Sequence, residues 1–190
     1  MTARAATSRA ASVHADTAAK LASMAPTELI RSARLILTPL ARGDAAEMVE
    51  VLSDPALYTF TGGDPPTLDE LDQRYRHQVA GGSGDDEVWH NWIIRLDGVA
   101  IGYVQATVAG EVADLAWVVG TPSQGSGYAT EAADAMRSWL ADAGIRRFSA
   151  HIHPSHSASH AVASGLGLRD TGAIDDNGEA IWASAPESAG

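Results

Sequence analysis

The chain has 190 residues and no cysteine, a length that suits one domain with its own core and a composition that rules out thiol nucleophiles, thiolate metal sites and disulfides. With 13 basic against 24 acidic residues, the net charge is −11 with histidines neutral, a field that repels nucleic acid and anionic membranes and favours cationic partners, amines included. No run approaches the roughly 18 apolar residues of a membrane span, and the N-terminus lacks the apolar core of a secretory signal, so the expected compartment is the cytoplasm.

Residues 1–33 are rich in Ala, Ser, Thr and Arg, with few large apolar side chains. They read as a flexible or weakly helical extension, and Met24, followed by Ala25 and Pro26, offers an alternative start. The domain proper is expected over 34–184, with a tail at 185–190. Arg34 to Leu40 reads as a first strand, and Asp44 as the N-cap of a helix carrying Ala45, Met48, Val49 and Leu52 at helical spacing. Leu68, Leu71, Tyr75 and Val79 share one face of a second helix, Leu68 to Val79, and Gly81 to Asp86 is a glycine-rich loop.

Three strands follow, Asn91 to Leu96, Ala100 to Val108 and Val112 to Val119, divided by the turn signals Asp97-Gly98 and Gly110-Glu111. Leu115 to Val119 is almost continuously apolar, as in a central strand covered on both faces. The longest helix runs from about Gly127 to Ala143, its core face on Ala129, Ala132, Ala133, Met136, Trp139, Leu140 and Ala143, with Gly144 as its stop. After it come a strand from Phe148 to His153, a short helix from Ser157 to Gly165 with Ala158, Ala161 and Val162 inward, and strands near Leu168 to Gly172 and Glu179 to Ala183. There is no internal repeat. The pattern predicts an α/β fold, a mixed and mostly antiparallel sheet of about seven strands with helices on both faces.

Gln124-Gly125-Ser126-Gly127-Tyr128-Ala129 lies between the apolar strand and the long helix. Small residues let backbone N–H groups approach a phosphate, and a helix N-terminus adds orphan donors and positive dipole density. The two glycines also serve as plain strand-to-helix punctuation. A nucleotide P-loop is excluded because no Lys-Ser/Thr pair follows, and a dinucleotide fingerprint because the loop does not open a βαβ unit.

The segment resembles the GNAT superfamily of acyltransferases. Its signature of Gln or Arg, two residues, Gly, one residue, then Gly or Ala is matched by Gln124, Gly127 and Ala129. The run Gly127 to Ala132 is similar to the branch that contains ribosomal-protein N-terminal acetyltransferases, as are Arg34-Leu35, Pro39-Leu40, Asp44, Ser53-Asp54-Pro55, Ile101-Gly102-Tyr103 and Gly167-Leu168. The resemblance spans roughly Ala33 to Trp182 and implies the GNAT fold, acetyl-CoA as cosubstrate, no metal, and direct transfer to a primary amine.

It further implies that the strand before the loop splays from its neighbour and holds the pantetheine arm with the backbone of Trp117, Val118 and Val119, one N–H facing the thioester oxygen. The loop from Gln124 through Thr130 would hold the pyrophosphate. Relatives use a tyrosine as acid where this chain has Ala163, so that acid is absent. The ribosomal branch instead implies Ser159 as donor to the departing sulfur, with His156 able to do the same or to contact the CoA arm. Asp114 and Glu179 are the candidates for the base, each equally readable as a solvated carboxylate. Arg74, Arg76, Arg146 and Arg147 are candidates for the CoA 3′-phosphate.

His151, His153, His156 and His160 cluster in sequence, the last two at i and i+4, a spacing that can bind zinc. No His-Glu-x-x-His motif accompanies them, and the expectation is no metal. Trp89-His90-Asn91-Trp92 follows the acidic Asp85, Asp86 and Glu87. Aromatic faces beside carboxylates can hold a cationic amine, though two tryptophans here also read as packing. Trp89 and Asn91 of this run are candidates for substrate contact on that ground, and because in this superfamily the segments before that strand shape the acceptor site, the resemblance adds Tyr58, Phe60 and Tyr75. The acceptor is a protein N-terminus or a small-molecule amine. A non-catalytic acyl-CoA-binding module is the alternative, motivated by Ala163, and a homodimer is compatible with either.

Overall fold

The computed structural model describes residues 26–80 and 87–185. Along the chain come β1 (Ile30–Arg31), β2 (Leu35–Pro39), α1 (Ala45–Val51), α2 (Leu68–Val79), β3 (Val88–Leu96), β4 (Val99–Ala109), β5 (Val112–Val119), α3 (Tyr128–Asp142), β6 (Arg147–Ile152), α4 (Ser157–Gly165), β7 (Arg169–Ile174) and β8 (Ala180–Ala183). The strands make one eight-stranded sheet in the order β1-β2-β3-β4-β5-β6-β8-β7. All pairs are antiparallel except β5 with β6.

Alternation along the strands assigns the two faces. On one face, Trp92, Ile94, Val104, Ala106 and Val108 pack with Ala132, Ala133, Met136 and Leu140 of α3 and with Ala163 of α4. On the other, Ile93, Tyr103 and Val118 lie with Met48 of α1 and Leu71 and Tyr75 of α2. The β3–β4 hairpin turns on Asp97 (φ 50) and Gly98 (φ 86), the two left-handed residues that a tight two-residue turn needs. Thr67 and Glu70 form a capping box that starts α2.

The structure departs from the expected elements in several places. The chain joins the sheet before Arg34: β1 pairs with β2, the Trp92 indole N–H donates to the Glu28 carbonyl at 2.7 Å, and Thr27 Oγ1 lies 2.9 Å from His90 Nδ1. Two large polar-tipped rings buried in β3 need partners, and the 26–31 segment supplies them. β3 itself begins at Val88, so Trp89 and His90 are strand residues. Asp44 does not cap α1 with its side chain. Its carboxylate accepts instead from the Ala41 N–H and from Arg95. In α4 Val162 packs against the core as expected and Ala163 is buried in it, but Ala158 and Ala161 are exposed. β8 is inserted between β6 and β7, a crossover the strand pattern does not encode. The expected loop 81–86, the acidic Asp85 and Asp86, residues 1–25 and residues 186–190 lie outside the described residues.

Candidate functional site

β5 and β6 begin as a parallel pair through Val112 with Arg147, Ala113 with Phe148 and Asp114 with Ser149, and then part. β6 continues with β8 as its antiparallel neighbour, while β5 stays paired with β4 as far as Val119. From Leu115 to Val119 the edge of β5 that faces β6 therefore carries no ladder partner among the described residues, and the two strands form a wedge with Asp114 at its closed end. Unpaired N–H and C=O groups on such an edge accept an extended ligand arm as they would accept another strand. The expected two-sided burial of β5 fails here: Leu115 and Val119 are buried, but Ala116 is exposed and Trp117 and Val118 are half-buried. Gly102 matters on the paired side, because a Cβ there would stand 2.1 Å from the Val118 carbonyl oxygen.

The glycine loop closes the open end of this wedge. A short turn, Thr121–Ser123, leads to Gln124, whose amide N–H donates back to the Val119 carbonyl at 2.9 Å. Gly125 and Gly127 have φ of +74° and +79°, where only glycine is unstrained. The first helical bond of α3 runs from the Glu131 N–H to the Gly127 carbonyl. The N–H groups of Tyr128, Ala129 and Thr130 thus precede the helical ladder and supply its positive end.

A clamp fixes that end. Glu131 accepts from the Ser32 hydroxyl at 2.7 Å, the Arg34 N–H at 2.7 Å and the Arg34 guanidinium at 2.6 Å. The same guanidinium donates to the Ser126 carbonyl at 3.0 Å and lies 4.6 Å from the Tyr128 ring centre. Burial opposes ionisation of Glu131, but these hydrogen bonds outweigh it and hold the carboxyl below its usual range. Thr130 packs against Gly165 of α4, where a Cβ would meet its methyl at 2.8 Å.

At the closed end, the Ser149 hydroxyl donates to Asp114 Oδ1 at 3.0 Å. His151 Nε2 is 3.9 Å from the same oxygen, and His151 Nδ1 is 2.7 Å from Asp175 Oδ2 on the β7–β8 turn. Asp175 Oδ1 accepts the N–H groups of Asn177 and Glu179 at 2.8 and 2.9 Å. Partial burial and the Asp175 charge push the Asp114 carboxyl up, against the Ser149 hydrogen bond and His151. Its side chain is 47 % exposed, so water still reaches it. The Asp175 hydrogen bond, helped by the nearby carboxylates, pushes the His151 imidazole up despite its partial burial. Asp175 is held down by the Glu179 N–H and by His151.

The sequence-derived candidates fall into separate groups. Asp114 and Glu179 meet around His151, with single ligand atoms of His151, Asp175 and Glu179 within 4.8 Å of one another. Ser159 and His156 lie at the start of α4, beyond the open end of the wedge. Phe60 stacks on His156 at 4.4 Å and stands 5.4 Å from His153. Burial, with His160 and His153 nearby, pushes His156 down. The four histidines do not converge: His151 meets Asp175, His153 accepts from the Ser155 N–H, His156 meets Phe60, and His160 stacks on Trp182.

Tyr75 and Asn91 do come together, in a cavity of about 130 Å³ between α2 and the sheet, with Arg74, Gln78, Tyr103 and Gln105. Tyr75 is 4 % exposed and its hydroxyl has no hydrogen-bond partner among the described residues. Tyr58 donates to the Leu52 carbonyl at 3.0 Å, and Trp89 packs edge-on against His77 at 5.6 Å. Arg76 is tied to Asp72.

Sequence reasoning did not single out the clamp of Ser32, Arg34 and Glu131 or the pairing of His151 with Asp175. The only signals were an acidic residue in a first helical turn and one histidine among four.

Residues 34–169 match the family model described as an acetyltransferase (GNAT) domain. No curated protein matches the chain by sequence. Among solved structures, an acetyltransferase (GNAT family) from Bacillus anthracis is 21 % identical with a TM-score of 0.69, covering 84 % of this chain and 99 % of its own. RimL, a ribosomal-protein alpha-N-acetyltransferase bound to coenzyme A, is 18 % identical with a TM-score of 0.68, covering 82 % and 97 %. The aminoglycoside acetyltransferase AAC(6')-Ib, bound to coenzyme A, is 20 % identical with a TM-score of 0.68, covering 80 % and 95 %. At these identities the likeness carries the fold.

Proposed function

The chain belongs to the GNAT acetyltransferase family, and from that premise we propose that it transfers an acetyl group from acetyl-CoA to a primary amine by direct attack in a ternary complex. The observation that carries this reading is the parting of β5 from β6 beyond Asp114 and Ser149, with a glycine loop and the N-terminus of a 15-residue helix at the open end. An extended, polar arm ending in a diphosphate fits both features: the free edge at Trp117, Val118 and Val119 takes the arm, and the N–H groups from Gly125 to Thr130 take the phosphates.

Acetyl-CoA supplies an activated acyl carbon as its thioester. A backbone N–H of the Trp117 to Val119 stretch is positioned by this reading to donate to the thioester oxygen as negative charge builds there. His156 and Ser159 are the donors on the sulfur side. The carboxylates Asp114 and Glu179 stand at the other end of the wedge, where a proton must leave the amine. Tyr75 and Asn91 line the seat for the rest of the acceptor; Tyr58 and Trp89 are candidates for further acceptor contact, and Phe60, stacked on His156, for contact nearer the sulfur.

The acceptor is either a protein N-terminus, the group modified by RimL, or a small amine, as for the aminoglycoside enzyme. The net charge of −11 favours both. Cytoplasm is the compartment in which such a donor and acceptor meet. One observation favours a second reading, a non-catalytic acyl-CoA-binding module: position 163 is an alanine packed into the core, so the short helix has no hydroxyl there to protonate the sulfur.

Release of free CoA thiol over a panel of amines and short peptides tests the choice. Amine-dependent thiol release supports the enzyme. Acetyl-CoA binding by calorimetry with no turnover on any amine would leave the module, and absence of binding would sink both.

A further inference from the structure

We propose that His151 is the group that accepts the acceptor amine's proton, and that Asp175 is its positioning residue. The inference rests on the acetyl-transfer reading above.

Position comes first. Asp114 and Ser149 are the last residues at which β5 and β6 pair. His151 is two positions further along β6, hence on the same sheet face as Ser149, just where the strands have begun to part. It stands beside the closed end of the wedge, on the face that also bears Tyr103 and Val118 and is packed by α1 and α2. The cavity that holds Tyr75 and Asn91 opens on that same side.

Orientation is the second point. The 2.7 Å contact with Asp175 puts the proton of neutral His151 on Nδ1 and leaves the Nε2 lone pair free. Nε2 lies 3.9 Å from Asp114 Oδ1, beyond hydrogen-bond range but close enough to feel its charge. Asp175 cannot swing, since two backbone N–H groups of its own turn hold its other oxygen. A carboxylate that fixes the tautomer and supports the imidazolium is the logic of an oriented histidine base. The groups around His151 are Asp114 and Ser149 on the wedge and Asp175 and Glu179 on the β7–β8 hairpin. All the charged ones are acidic, so they favour the protonated ring that the reaction creates.

Imidazole also suits the task better than its neighbours. Asp114 is engaged by Ser149, and proton transfer is most effective when the base titrates near the working pH. In the step, an ammonium gives one proton to His151 Nε2. The nitrogen lone pair then forms the N–C bond at the thioester carbon, and the C–S bond breaks with its electron pair on sulfur. The surplus proton on nitrogen reaches the sulfur by way of the donors on that side, Ser159 or His156, giving the thiol, and His151 returns its proton to solvent.

The test is the pH dependence of kcat/KM by thiol release, together with the titration of the His151 ring by NMR in the protein with nothing bound. The wild type should show an acidic limb at the pH where the ring titrates. Asp175→Asn should move limb and ring titration together to lower pH, because the carboxylate that raises the ring's pKa is gone, and Asp175→Glu should restore part of the shift. His151→Gln should lose the limb and about 10²-fold in kcat/KM, with most of the loss in kcat. A limb that survives His151→Gln but vanishes in Asp114→Asn would make Asp114 the base and overturn the proposal. So would chelator-sensitive activity with a His151 signal displaced by added zinc, since His151, Asp175 and Glu179 would then be metal ligands. If the wild type releases thiol and His151→Gln matches it, only this inference fails. If the wild type acetylates no amine, the acetyl-transfer reading fails and the proposal falls with it.

Discussion

Ser159 is the residue whose role is easiest to isolate, because it is half-exposed on a short helix and its loss leaves no cavity. If it protonates the departing sulfur, Ser159→Ala lowers kcat by about 10²-fold and leaves the KM for acetyl-CoA nearly unchanged. Stopped-flow thiol release reads this directly, and a kcat equal to wild type across pH would remove the role. The loop from Gln124 to Ala129 was legible only in context: its glycines alone also suit plain strand-to-helix punctuation, and its place between an apolar strand and a long helix, with family matches along the chain, made it a candidate acetyl-CoA site. Asp114 was legible as a carboxylate on the strand before the glycine loop. His151 and Asp175 were not, because 24 positions separate them and their meeting depends on β8 lying next to β6. Tyr75 is a substrate candidate by resemblance and Asn91 by its place in an aromatic run beside acidic residues. Their shared cavity came from the packing of α2 on β3, which periodicity alone does not register.

At the scale of elements, the join between β2 and α3 is the feature with the largest consequence. Glu131 receives three hydrogen bonds from a segment 97 to 99 positions away. Removing it in Glu131→Ala takes the acceptor from the part-buried Ser32 hydroxyl and from the solvent-exposed Arg34 groups, and should cost about 1 kcal/mol, since water replaces the exposed bonds. Urea unfolding measures that loss, and calorimetry should find weaker acetyl-CoA binding because the loop is released with it. The pH sign follows from the lowered carboxyl. Its contribution is full above the ordinary value of 4.5 and is lost as pH falls through the lower folded value. A second join is Gly165 against Thr130. Ala is a better helix former than Gly by roughly 1 kcal/mol, but the added methyl would meet Thr130 at 2.8 Å. Gly165→Ala should therefore destabilise the wild type and stabilise the Thr130→Ser background, a reversal that a thermal double-mutant cycle detects. The hairpin at Asp97-Gly98 and the long helix were plain from their residues. The extra strand at Ile30–Arg31 was not, since two residues carry no period and the pairing answers the needs of Trp92 and His90 further along the chain.

Across the whole molecule, charge and the divided sheet act together. A net −11 attracts cationic acceptors over a distance of about 10 Å at 0.1 M salt. For a cationic amine at saturating acetyl-CoA, kcat/KM should fall as salt rises while kcat holds, and an uncharged amine should show no such slope. The sheet itself is incomplete in the middle rather than at its rim, since the missing ladder runs along β5, the fifth of eight strands. Backbone amides in the centre of a sheet normally exchange with solvent only when the protein opens. Some of those from Leu115 to Val119 face the wedge and should exchange quickly in the free protein, then slow sharply when the donor is bound. Hydrogen exchange by mass spectrometry over that peptide would show it, with the β4 side protected throughout. In that sense the donor is a folding partner: ligand at a hundredfold excess over its Kd should add about 2.7 kcal/mol to stability, by completing a strand order that the polypeptide leaves open.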